Sequence, residues 1–144
     1  MTLSGAEVLR GAFLCLLQPL PPESVGDFLK GRIGVIGLIA FLAAQEAERG
    51  AAVRAAENEA LRQLFRDVVA DGDAGPLEPR LAELSRPSDG ALTLESLDAA
   101  NDALGAALID LHERAECDGP RTLEHRIVAL MVAHSAAREL TLPG

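Results

Sequence analysis

The stretch KGRIGVIGLIAF, Lys30 to Phe41, decides between two folds. A β-branched apolar run set with glycines is how a dinucleotide-binding fold begins, as one strand followed by a phosphate-cradling turn. That fingerprint needs G-x-G-x-x-G between a strand and a helix, with an acidic residue about 20 positions on. Here Gly34 is followed by Val35 and Ile36, so the tight glycine pair is missing. The run then stays apolar through Ala44 without a turn residue, and no second strand is present to build a parallel sheet. The same residues fit a helix: Val25, Phe28, Leu29, Ile33, Ile36 and Ile39 or Ala40 recur at three- and four-residue spacing. On that helix Gly34, Gly37, Ala40, Ala44 and Ala47 form a stripe of small residues that lets another helix approach closely, from this chain or from a partner.

The composition supports the helical reading. Apolar residues make up 49% of the chain while aromatics make up 3%, and alanine and leucine carry most of the apolar content. Both are strong helix formers, whereas a sheet protein draws on Val, Ile, Thr and aromatics. At 144 residues the expectation is one domain, 1–144, folded as an all-α antiparallel bundle of four to five helices.

Charge narrows the partners. The formal net charge is −9, with nine acids and seven bases in 1–72 against thirteen acids and six bases in 73–144. An acidic chain without a basic patch is poorly suited to nucleic acid or to an anionic membrane surface. The longest uncharged stretch, Ile33 to Gln45, is shorter than the roughly 20 apolar residues a membrane span needs. The N-terminal segment does not read as a signal peptide, because Glu7 and Arg10 interrupt it and PLPP follows. Cys15 and Cys117 form no CxxC pair, and the expected compartment is the cytoplasm with both thiols reduced. Within Ala12–Leu17 Cys15 reads as a small core hydrophobe.

Punctuation along the chain divides it into helices. Ser4-Gly5-Ala6-Glu7 has the form of a capping box, predicting a first helix from Gly5 to Gln18 that Pro19, Pro21 and Pro22 stop. A helical pattern from Glu23 to Ala70 follows, in which Gly50 looks like a helix end able to take the left-handed position, and the pattern fits one bent helix or two. Its second part sets Val53, Ala56, Ala60, Leu61, Leu64, Phe65 and Val68 on one face and Arg54, Glu57, Asn58, Arg62 and Arg66 on the other. Asp71–Pro76 and Ser85–Gly90 are loops around a short helix at Pro79–Leu84. Thr93 caps a helix to Glu116 with Leu94, Leu97, Leu104, Leu108 and Leu111 inward. After Asp118-Gly119-Pro120, the last helix runs from Thr122 to Leu140 and buries Leu123, Ile127, Leu130, Met131 and His134 or Ala137.

No constellation of residues carries chemistry. The histidines, His112, His125 and His134, have neither the Glu-x-x-His spacing of a di-iron bundle nor the HExxH of a zinc protease, so no metal is expected. Cys117 lies between Glu116 and Asp118, which disfavour a thiolate, and Ser135 beside His134 points elsewhere on a helix. Asp98, Asp102 and Asp110 fall away from the leucine stripe and read as a solvated face. The expectation is of no catalytic residue and no cofactor, and of a chain that is not an enzyme by itself.

Three segments, GRIGVIGLIAFLAAQEAERG, AAENEALRQLF, and LDAANDALGAALIDLHERAE followed by LEHRIVALMVAHSAARELTLP, carry a resemblance. Their order resembles a family of small bacterial helical proteins encoded beside aminoglycoside-phosphotransferase-like kinases and acyl-CoA dehydrogenases. In that pattern the parts fall to Gly31-Arg32, Glu46, Glu57, Leu64-Phe65, Asn101 and Pro143. The sequence departs from it at Gly34 and Gly37, where larger residues are expected, and at 71–90, which looks inserted. The resemblance implies an accessory subunit of a kinase acting on hydroxyacyl-CoA thioesters, with catalysis in the partner. Arg32, Gly34, Gly37, Ala40, Ala44 and Glu46 are then the candidate contact residues. A bundle holding an apolar small molecule between its helices, and a homodimer built on the Gly/Ala stripe, are the alternatives.

Overall fold

A computed structural model describes residues 5–18, 26–86 and 91–142. The described chain is all-α: α1 (Gly5–Leu16), α2 (Asp27–Asp71), a 3-10 turn (Gly75–Leu77), α3 (Glu78–Leu84), α4 (Leu94–Asp118) and α5 (Arg121–Ala137). KGRIGVIGLIAF is helix throughout. The capping box at Ser4 and the prolines at 19–22 lie outside the described residues, as does Pro143.

Of the two arrangements that the pattern over 23–70 allows, the continuous one is found: α2 is one helix of 45 residues. Gly50 does not take the left-handed conformation that ends a helix; among the described glycines only Gly72 and Gly75 have positive φ. A glycine inside a helix costs about 1 kcal/mol relative to alanine. That is too little to interrupt a ladder flanked by good helix formers, Ala47 on one side and Ala51 and Ala52 on the other. By its contacts the chain divides into two compact units, Met1–Gly50 with Leu140–Gly144, and Ala51–Glu139.

In the first unit α1 lies antiparallel against the first part of α2. Arg10 of α1 pairs with Glu48. The Phe13 ring meets that of Phe41 with centroids 4.8 Å apart and planes tilted by 47°. Phe13 and Leu16 cover Gly37. Ala6 and Ala44 are buried in this seam. Gln45 clasps the chain that follows α5: its Nε2 donates to the Thr141 carbonyl at 2.8 Å and its Oε1 accepts from Thr141 N at 3.0 Å. Cys15 is exposed rather than a core residue. The inner face of α1 is taken by Ala6, Leu9, Phe13 and Leu16, and Cys15 falls off that spacing.

The second unit holds a closed core. Leu61, Phe65 and Val68 of α2, Leu81 of α3, Leu104 and Leu111 of α4, and Leu123 and Ile127 of α5 are all buried. Thr93 caps α4, its Oγ1 accepting from Ser96 N. The Gly119-Pro120 connection turns α5 antiparallel to α4. Arg126 reaches Asp67 and Asp71 while Arg138 reaches Glu57, so α5 is also antiparallel to α2. By contrast Arg54 meets Asp98, and Arg114 donates to the Asp73 carbonyl. Hence α4 runs in the same direction as α2, because α3 carries the chain back between them. Gly75 makes the tight turn into α3, with φ +54° and the Arg114 guanidinium packed where a Cβ would stand.

Several expectations for this core fail: Ala56 and Leu94, placed on inward faces, are exposed, Ala56 beside the buried Glu57 and Leu94 in the first turn of α4. Met131 is 49% exposed, since α5 turns Leu123, Ile127 and Leu130 inward and Met131 falls a full helical step past that row. More consequentially, Glu57, Asn58 and Arg62 are buried.

Candidate functional site

Two regions concentrate features that a plain core does not need. The first is the polar group inside the second unit. Glu57 is 2% exposed, Asn58 0% and Arg62 3%. Arg138 grips the Glu57 carboxylate with both ends of its guanidinium, Nε donating at 2.8 Å to Oε1 and Nη2 at 2.5 Å to Oε2. Arg138 Nη2 also donates to Asn101 Oδ1 at 3.2 Å, and Asn101 Nδ2 donates to Asn58 Oδ1 at 2.9 Å. Asn58 Nδ2 closes the chain on the Leu97 carbonyl at 3.0 Å. α2, α4 and α5 are thus joined by one connected run of hydrogen bonds.

His134 stands at the edge of this network. Burial lowers its pKa below the ordinary 6.5, the nearby Glu57 carboxylate acts to raise it, and Arg138 acts to lower it. Its buried Nε2 has no hydrogen-bond partner among the described residues. Asp98 and Asp110, read as solvated, are tied to Arg54 and Arg80. Such a network, with its carboxylate held in a bidentate ion pair, fixes which helix neighbours which. Among the described residues its hydrogen-bonded members are Glu57, Asn58, Asn101, Arg138 and the Leu97 carbonyl. Among the described residues no group of three His, Cys, Asp or Glu side chains converges on a metal position.

The sequence carried a signal for this network. Arg54, Asn58, Leu61, Phe65 and Val68 are spaced four, three, four and three apart. Asn58 therefore sits on the same stripe as Phe65, and assigning it to the opposite face divided the helix too sharply.

The second region is the first part of α2, where the predicted contact residues lie. They do not gather on one side. Gly37 and Ala44 are buried and Ala40 is half-buried. Gly37 faces α1, but an added Cβ would meet Leu16 and Phe13 at 3.6 Å, which is ordinary contact. The neighbour at this glycine is therefore a helix of the same chain, at a distance that leaves room for a methyl group. Gly34 is exposed with open space around it, Arg32 is exposed and Glu46 is half-buried.

On the flank of α2 away from α1, Val35 is 58% exposed, Ile36 53% and Ile39 61%. Asp27, Gly31, Arg32, Val35 and Ile36 border an open depression of about 480 Å³ there. A helix that is apolar on both flanks belongs inside a larger assembly or a membrane. No described helix is long and apolar enough to cross a membrane. Ile36 and Ile39 recur at the spacing of an apolar helix face, and spacing alone does not say which element covers that face. Compared with models of protein families, with curated proteins and with solved structures, the chain matches none.

Proposed function

We propose that this chain is a non-catalytic subunit that works through protein–protein contact, with the uncovered flank of α2 as its working surface. One observation carries the reading: Val35, Ile36 and Ile39 stand exposed together on a helix whose other flank is already covered by α1. Burying a side chain of this size is worth about 1.5–3 kcal/mol, so three of them supply a substantial driving force for association. The partner class that goes with the family resemblance is an aminoglycoside-phosphotransferase-like kinase acting on hydroxyacyl-CoA thioesters, with catalysis carried by the kinase. The compartment that goes with it is the bacterial cytoplasm, and the free thiols Cys15 and Cys117 are in keeping with a reducing environment.

The test is co-purification of the tagged chain from its native host, with the kinase encoded beside it quantified in the eluate. A stoichiometric kinase that is lost with Ile36→Asp and Ile39→Asp is the expected result. A kinase that flows through with the wild-type chain overturns the assignment of the partner. Retention of every partner by both variants overturns the surface.

A further inference from the structure

We infer that the uncovered flank of α2 pairs with the same flank of a second copy of this chain, the two helices running antiparallel. The inference rests on the reading of this flank as an assembly surface and names what first occupies it.

The positions on the flank are Leu29, Arg32, Ile36, Ile39, Ala43 and Glu46, spaced three, four, three, four and three apart. That is the seam of a two-helix coil, apolar at its centre and oppositely charged toward its ends. Leu29 at 48% exposure joins Ile36 and Ile39 in leaving apolar surface open along it. Two copies can meet on such a seam in two ways. Side by side in parallel, Arg32 would face Arg32 and Glu46 would face Glu46. Antiparallel, with Ile36 of one copy against Ile39 of the other, Arg32 falls opposite the small Ala43 of the second copy, and Glu46 of that copy lies one turn further on.

Helix side chains lean toward their own N-terminus. In the antiparallel arrangement Arg32 therefore leans toward Glu46 of the second copy, and that Glu46 leans back toward it. The two-fold axis repeats the pair at the other end, which makes the surface self-complementary as an isologous interface must be. Overall charge allows the same pairing. Residues Met1–Gly50 carry five acids and four bases, so two such units meet almost without net repulsion. Residues Ala51–Glu139 carry seventeen acids and nine bases, and self-association through them would be opposed.

The test is sedimentation equilibrium of the purified full chain at low salt, with helicity followed by circular dichroism. The expected species has twice the 15.1 kDa chain mass. Ile39→Asp, an exposed position, should give a monomer of unchanged helicity. Arg32→Glu and Glu46→Arg alone should each weaken the dimer about tenfold, and the double reversal should restore it, because it rebuilds both pairs with the charges exchanged. A monomer throughout the micromolar range overturns the inference, as does a dimer unmoved by the single reversals. If the chain is monomeric yet loses its co-purifying kinase on Ile39→Asp, self-pairing is wrong and the surface stands. If Ile39→Asp changes neither mass nor co-purification, both fall.

Discussion

The two units use their apolar and polar residues in opposite ways. Ala51–Glu139 keeps Phe65, Leu104, Leu111 and Ile127 inside and admits Glu57, Asn58 and Arg62 among them. Met1–Gly50 is poor in charge yet leaves Val35, Ile36 and Ile39 outside. The contrast follows from how many helices each can draw on. A helix has a flank free for each helical neighbour it lacks, and among the described residues of the first unit α1 is the one helix beside α2. In the second unit α3, α4 and α5 all pack with α2, so even its polar positions are enclosed and must find partners there. The second unit encloses polar side chains in its core although Ile109, Val128, Met131 and Val132 stay exposed at its surface, and the first unit leaves the flank of α2 open.

The sharpest way to break this comparison is to remove one large apolar side chain from each unit. Phe65→Ala empties a site with 0% exposure and should cost about 3–5 kcal/mol. Ile39→Ala removes a side chain that touches solvent over most of its surface, and should move the stability of the monomer by no more than about 0.5 kcal/mol. Urea unfolding of the two variants, with Ile39→Ala measured under monomeric conditions, gives both numbers. Equal costs would mean that the first unit is as closed as the second.

The next effect concerns the polar interior. Arg138 has a half-exposed side chain, while Glu57 is buried, so the two ends of their ion pair are not equivalent. Arg138→Ala leaves a buried carboxylate without its bidentate partner and should cost about 2–3 kcal/mol. Glu57→Gln leaves a guanidinium that can turn to water and still bond Asn101, and should cost about 1 kcal/mol less. Denaturation midpoints at one pH read the difference. Equal losses would show that the pair is hydrated and that the network is part of the surface.

What the sequence disclosed follows the same division. Helix type, the Thr93 cap and the leucine stripe of α4 were legible, because capping and periodicity are local and the core they point to exists. Leu97, Leu104 and Leu111 are buried as their spacing required, although Leu94 at the end of the stripe is exposed. Gly50 left one helix or two open because a glycine beside a charged cluster looks like a helix end, while its cost of about 1 kcal/mol is small enough for alanine-rich flanks to carry the ladder through. The polar network was hidden for a related reason. Glu57 and Arg138 are 81 residues apart, and nothing local to either marks the pairing. As for the candidate contact residues, α1 covers Gly37 of the small-residue stripe at ordinary contact distance. The open apolar flank lay on the other side, where the same periodicity gave no hint of exposure.

Glycine replacement sharpens the picture of the open unit by a smaller effect. Gly34 has nothing within 4 Å of an added Cβ, and at Gly37 the nearest atoms stand at 3.6 Å. Alanine at either helical position should stabilise by about 0.5–1 kcal/mol through the lost freedom of the unfolded chain. Gly119 is the control: its Cβ would fall 2.6 Å from Ala115 Cα, and Gly119→Ala should destabilise. Thermal unfolding of the three variants separates these signs. A loss at Gly37→Ala would mean that α1 packs more tightly than ordinary contact.

The smallest effect tests whether the closed unit is closed around His134. Burial holds its pKa below the unfolded value of 6.5, against the pull of Glu57 and with the help of Arg138. Below that unfolded value the unfolded chain takes up the proton before the folded one does. Stability is therefore gained as pH rises through this window and lost as it falls. His134→Gln removes the titration and should flatten the profile between about pH 7.5 and pH 5.5, leaving whatever slope the carboxylates contribute. Unfolding midpoints across that range, compared pairwise, isolate the histidine. Parallel profiles would place the imidazole in water in both states.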